Sequence, residues 1–314
     1  MRTAPDNTPP KDHGILVLDK PRGPTSHDVV AAVRRVLGTR AVGHAGTLDP
    51  MASGVLLLGV NDGTKLLQHL TGHDKTYLAT LRLGAQTDTL DAQGRVTETC
   101  ALPERLTLAD VASVASGFVG ELVQRVPDIS AVKIAGERLY ARARRGEAVV
   151  APERQVVVHE LEILRVELPD IELRVSSSKG FYVRALARDL AQALGNLGHL
   201  TSLRRTQSGQ FPIADACDGS LLLGDRAAAA ALLRERMLPL ADALRGCARR
   251  TLNAAGVVEV GHGRPVHAAH CLEADMSLPP GQQPIVLVDE RGDLRALGRA
   301  DVDRVFVTRG MVAH

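Results

Sequence analysis

One carboxylate stands out for its setting. Asp49 lies in the run Gly43-His44-Ala45-Gly46-Thr47-Leu48-Asp49-Pro50-Met51-Ala52-Ser53-Gly54-Val55-Leu56. The run is too rich in glycine for a helix interior. Pro50 biases Asp49 away from the α region toward an extended conformation. The apolar stretch Val55-Leu56-Leu57-Leu58-Gly59-Val60 that follows reads as a buried strand. The acid is therefore expected on a loop whose downstream end is anchored in the core, which is how a scaffold displays a chemical group. Hydrolysis of a glycosidic bond by paired carboxylates needs a second acid, and none accompanies this loop.

The elements around the loop follow from local signals. Ile15 to Leu18 reads as a strand and Asp19 to Pro24 as a turn. Thr25 is placed as a helix N-cap with Asp28 three residues on. Val29, Val30, Val33, Val36 and Leu37 form its apolar stripe, and Gly38 is its stop. Thr64 to Leu70 reads as a short helix. Lys75 to Leu83 alternates as a strand does. Thr107 to Phe118 is a helix, and Lys133 to Arg145 is a turn followed by a helix ending at Gly146. Gln155 to Val166 and Ile171 to Val175 are paired strands. Phe181 to Leu194 and Ala227 to Leu233 are helices. Past Arg245 to Arg250, short strands and Gly/Pro turns mark a small β module of about 65 residues.

Composition bounds the rest. The chain has 314 residues, 45% of them hydrophobic, and a formal charge of +2, enough for one large domain or one large and one small. Any basic surface must be local. Cys100, Cys217, Cys247 and Cys271 are widely spaced and form no CxxC pair, which speaks against a zinc ribbon or a redox motif. His262, His267, His270 and Cys271 fit no strong zinc pattern. No apolar stretch reaches the ~18 residues of a membrane span, and Met1 to Lys11 lacks a signal-peptide core. The expectation is a cytoplasmic protein, with a monomer as the default.

The loop resembles the catalytic signature of the TruB family, the tRNA pseudouridine-55 synthases, whose pattern G-H-[TA]-G-[TA]-L-D-P-x-A-[ST]-G-x-L is matched at every fixed position. Further resemblances follow in order. Gly14 to Gly23 is similar to the family's opening G-x-[LIV]-x-[LIV]-[DN]-K-P-x-G. Lys75-Thr76-Tyr77 matches K-x-Y, and Leu83 to Gly94 matches L-G-x-x-T-D-T-x-D-x-x-G. Ser178 to Arg184 matches S-K-G-[TF]-Y-[IV]-R, and Gly198 to Thr206 resembles G-x-x-A-x-[LM]-x-R-[LT]. Two departures occur. Ile129 stands where the family carries Tyr, Phe or Met, and Thr201 where Ala or Val is common.

The resemblance implies an α+β pseudouridine synthase fold, with a large mixed, mostly antiparallel sheet flanked by helices and a small β-rich PUA-like terminal domain. It implies a tail over 1–12, a catalytic domain over 13–247 with a thumb insertion near 124–152, and an RNA-binding domain over 248–314. The implied reaction is isomerisation of uridine to pseudouridine in the T loop of tRNA, without cofactor, metal or obligatory protein partner. Asp49 would be catalytic, either attacking covalently or abstracting a sugar proton. Arg184 would pair with it. Tyr77, Tyr182 and Leu203 would surround the flipped base, and His44 would fill the space it leaves. Lys20 is assigned to the site floor with a substrate contact, Asp91 to the flipped nucleotides, and Lys133 to a phosphate. The alternatives are an RNA-guided synthase, a synthase acting on another RNA, and an RNA-binding or RNA-folding protein without catalysis.

Overall fold

The computed structural model describes residues 12–129, 151–273, 278–279 and 281–311, together with the backbone of Lys133–Ile134 and Glu137–Arg138. Residues 1–11 of the tail expected over 1–12, and most of the expected thumb, lie outside the described residues.

A ten-stranded mixed sheet forms the centre. Its main path runs Cys217–Asp218, Gly14–Lys20, Ser53–Val60, Gly198–Ser208, Lys75–Leu83, Asp170–Ser177, Glu153–Glu167 and Gly120–Arg125. Most pairings are antiparallel. The exceptions are Gly14–Lys20 with Cys217–Asp218, and the contact of Arg204 and Arg205 with Ser53 and Gly54. This is the α+β architecture expected. Lys75–Leu83 alternates strictly, with Lys75, Tyr77, Ala79, Leu81 and Leu83 buried. Tyr77, Ala79, Leu81 and Leu83 share a core with Val183, Leu186 and Leu190 of the helix Val183–Ala193.

The helix Ser26–Leu37 starts and stops where its sequence directs. Thr25 and Asp28 form a reciprocal capping box, and Gly38 ends the helix at φ +69°. Its Val29, Val30 and Val33 pack with Leu16, Leu18, Leu56 and Leu58 from one face of the sheet. The helix expected over Thr64 to Leu70 divides into a 3₁₀ segment, Asn61–Leu66, and one α turn, Leu67–Thr71. In the segment read as turn plus helix, the described backbone instead pairs Lys133–Ile134 with Glu137–Arg138 as a two-stranded ribbon.

Several strands lie where none was expected, among them Gly120–Arg125 at the sheet edge and Gly198–Ser208 at its middle. The latter carries few β-branched residues, and its place is set by pairing with Lys75–Leu83 along its whole length.

A second sheet of five strands begins at Arg249, inside the boundary region read from sequence. It is not an isolated module. Val286, Val288, Leu294 and Leu297 belong to one buried cluster with Phe211, Ala241, Leu244, Ile15, Val17, Val55 and Leu57 of the larger sheet.

Candidate active site

The Asp49 loop links the strands Val42–His44 and Ser53–Val60, which pair with each other. It is fastened from several sides. The Ser26 hydroxyl accepts the Leu48 N–H at 2.9 Å and donates to the Leu48 carbonyl at 3.2 Å. Gly23 N–H donates to Pro50 O at 2.8 Å, and Ala52 N–H to Asp49 O at 3.0 Å. Leu48, Met51 and Ala52 are sunk in the core. Asp49, between them, keeps its side chain about one-third exposed (34%). Burial of its neighbours thus fixes the direction of a carboxylate that stays accessible.

Beneath the loop lies Arg205, only 1% exposed. Its Nε donates to Val55 O at 2.6 Å, and its terminal nitrogens donate to Thr47 O at 3.3 Å and Gly46 O at 3.2 Å. One guanidinium so satisfies three carbonyls that the loop cannot pair with itself. The approach is close enough to exclude a side chain at Gly54. Its φ is +107°, and a Cβ there would lie 2.1 Å from Arg205 O.

Arg184, in the first turn of Val183–Ala193, faces the carboxylate. Its Nε is 2.9 Å from Asp49 Oδ2 and 3.9 Å from Asp91 Oδ2. The Nε contact is an ion pair without hydrogen-bond alignment. One terminal nitrogen donates to Thr89 O at 2.7 Å and Ile129 O at 3.2 Å. The start of this helix is itself gripped. The buried Gln124 side chain donates to Tyr182 O at 3.0 Å and accepts Tyr182 N–H at 2.8 Å. Asp49, Tyr77, Tyr182, Arg184, Leu203 and Arg205 all line one cleft of about 580 Å³, a size suited to a small organic group.

A geometry of this kind accompanies clear kinship. The model of the TruB family pseudouridylate synthase N-terminal domain matches residues 34–183, and that of the tRNA pseudouridylate synthase B C-terminal domain matches residues 184–245. A Corynebacterium jeikeium protein named tRNA pseudouridine synthase B is 41% identical over 295 residues, covering 89% of this chain and 91% of that relative. The chain belongs to the TruB family. A Cutibacterium acnes relative with the same name is 50% identical over 211 residues, covering 65% of this chain and 70% of the relative. Among solved structures, the archaeal box H/ACA sRNP Nop10-Cbf5 complex contains a chain with TM-score 0.71 and 25% identity, covering 96% of this chain and 86% of that one. The five-stranded sheet follows the region that the two TruB models match.

Of the residues expected in the site, Asp49, Tyr77, Tyr182, Arg184 and Leu203 converge in the TruB cleft. Asp91 sits behind Arg184, 5% exposed. Its Oδ1 accepts from the Thr89 hydroxyl at 2.7 Å and from Gln93 N–H at 3.0 Å.

Lys20 departs from the expectation of a substrate contact. It is fully buried, and Nζ donates to Pro21 O at 2.9 Å and Pro24 O at 2.8 Å. It braces the turn beneath the loop, and burial lowers its pKa to about 8 against the favourable field of Asp49.

His44 lies just upstream of the loop and meets the His27 ring edge-on, with centroids 5.5 Å apart. Burial, His27 and Arg205 hold its pKa below the usual imidazole range. The Lys133 side chain falls outside the described residues.

Three positioning residues were not singled out from sequence: Arg205, Gln124 and Ser26. Arg205 carried a signal, since it stands at the fixed arginine of the motif that Gly198 to Thr206 resembles, two residues after Leu203. The others carried none, since Gln and Ser are ordinary surface residues until their partners are known.

Proposed function

We propose that the protein isomerises uridine to pseudouridine at position 55 in the T loop of tRNA, with Asp49 as the catalytic group. The observation that carries this reading is the Asp49–Arg184 ion pair in a cleft walled by Tyr77, Tyr182 and Leu203. A base inside a folded arm is unreachable, so the target uridine is flipped out of the stack. The aromatic rings offer π faces and the phenol hydroxyls offer hydrogen bonds. Leu203 closes the apolar side. His44, kept neutral by its surroundings, occupies the vacated position in the RNA.

In the reaction the N1–C1′ bond breaks, the uracil turns, and C5 bonds to C1′. The C5 proton leaves to solvent and N1 takes up a proton, so atoms balance without an oxidant or a net water. Asp49 either bonds to the sugar or removes a sugar proton during the rearrangement. Arg184 pairs with the carboxylate at 2.9 Å and fixes its orientation in the cleft. Asp91 orients Arg184 from behind. Lys133 and the segment around it contact phosphate, and residues 248–314 extend the RNA-binding surface. The enzyme acts on bare tRNA as a monomer.

The test is tritium release from a tRNA transcript labelled as [5-³H]-uridine, with wild type, Asp49→Ala, and a transcript altered only at the target uridine. Release that needs both Asp49 and that uridine is the expected result. The likeness to a chain from an H/ACA complex makes a guided enzyme the second reading, and release that requires an added guide RNA would favour it. Retained RNA binding without any release would point to a binding protein.

A further inference from the structure

One wall of the cleft carries cations that the described residues do not balance. Arg154, on the strand Glu153–Glu167, and Lys179, in the turn Ser178–Gly180, are both exposed and both line the cleft. Neither has an acidic partner among the described residues.

The backbone that carries each is fixed by its surroundings. Ser178 N–H donates to Val157 O at 2.8 Å, and its hydroxyl accepts Val157 N–H at 2.9 Å, which pins the turn to the strand. Gly180 has φ +83°, and a Cβ there would lie 3.5 Å from Arg154 Nη1, so the guanidinium rests beside the glycine. Arg154 is the register partner of Gln124, whose side chain grips the Tyr182 peptide.

Behind the pair lie two more cations, the buried Lys75 and Arg205. Lys75 feels burial first, then Arg205 as a like charge, then the opposing attraction of Asp74, and last Lys179 as a second like charge, and its pKa falls to about 8. The acids nearby are engaged: Asp49 with Arg184 at 2.9 Å, and Asp74 with His159 at 3.1 Å. A cleft wall where cations outnumber the facing acids among the described residues marks a place for an anion.

We infer that Arg154 and Lys179 form an anion seat at the cleft mouth for one RNA phosphodiester flanking the flipped uridine. The inference rests on the flipped-uridine reading above. A guanidinium fork matches two phosphate oxygens, and an ammonium adds a point charge. The seat shares its strands with the support of Tyr182, so backbone and base of one nucleotide would be held by a single rigid unit.

The experiment uses the full chain and three T-arm stem-loop RNAs: one natural, and two with a single uncharged methylphosphonate at the linkage 5′ or 3′ of the target uridine. Dissociation constants are measured against salt for wild type, Arg154→Gln and Lys179→Gln. On natural RNA each variant should bind about three- to tenfold more weakly, with a salt slope flatter by about 0.7. On one of the two neutral-linkage RNAs, wild type and variants should bind alike. An equal loss on all three RNAs, or no loss on any, would overturn the seat. Tritium release by wild type on the natural stem-loop is read separately. Its failure would remove the isomerisation reading, while the coupling between side chain and linkage would still decide whether the seat exists.

Discussion

Arg184 meets Asp49 with Nε 2.9 Å from Oδ2, although the two lie far apart in the chain and differ sharply in exposure, at 5% and 34%. The arginine is the buried, fixed member. The aspartate is the accessible one. A carboxylate paired on its inner side and open on its outer side suits attack or proton abstraction. Asp49→Asn keeps the shape and removes the charge. It should bring tritium release below about a thousandth of wild type while RNA affinity stays within about twofold by filter binding. Near-normal turnover would take Asp49 out of the catalytic role.

Arg184→Met should be costly for folding as well as activity. It strands the buried Asp91 and leaves the Thr89 and Ile129 carbonyls without their donor. A loss of about 3–5 kcal/mol is expected in urea unfolding. Arg184→Lys keeps the charge but not the fork. It should be the more stable of the two variants while still losing most activity.

The loop floor should tolerate neither a smaller arginine substitute nor a larger glycine substitute. Arg205→Met removes donors from the Gly46, Thr47 and Val55 carbonyls and should cost about 3 kcal/mol. Gly54→Ala meets Arg205 O from the other side at a positive φ and should cost about 2–4 kcal/mol. Thermal melts of both variants check this, and an unchanged midpoint for either would contradict the close packing.

Stability should rise with pH across an unusual window. Lys20 and Lys75 have native pKa values near 8 against 10.5 in the unfolded chain, burial being the main cause. Between about pH 8 and 10.5 the unfolded state binds more protons, so these two groups make unfolding harder as pH increases. Below about 8 both are charged in both states and their burial cost is fully present. Urea midpoints at pH 8, 9 and 10 should show this contribution, and Lys20→Met or Lys75→Met should each flatten the rise. Variants that keep the wild-type slope would refute it.

The five-stranded sheet should not be removable without damage. Val286, Val288, Leu294 and Leu297 belong to the same buried cluster as Ile15, Val17, Val55 and Leu57. A chain ending at Cys247 should expose that apolar face, lose at least about 3 kcal/mol, and aggregate. An intact melting temperature after truncation would show instead that the two sheets are energetically separable.

Much of the scaffold was legible because its signals are local. The Thr25–Asp28 capping box, the Gly38 stop and the alternation of Lys75 to Leu83 each depend on residues within a few positions of one another. The strand Gly198–Ser208 was not legible. Its polar run Thr201-Ser202-Leu203-Arg204-Arg205 resembles no autonomous strand, and hydrogen bonding to Lys75–Leu83 decides its conformation.

The sequence by itself determined which groups can do chemistry here: an acid on a Gly- and Pro-bounded loop, two tyrosines in motifs, and an arginine opening a helix. Side-chain type and backbone restriction are properties of short segments. Only the tertiary structure decided how those groups are held. It set Arg205 under a loop some 150 positions away, put Asp91 behind Arg184, withdrew Lys20 beneath the turn, and joined the second sheet to the first through one core. Such partnerships arise when buried polar groups and apolar faces must be satisfied by distant parts of the chain, and local sequence carries no record of which partner that will be.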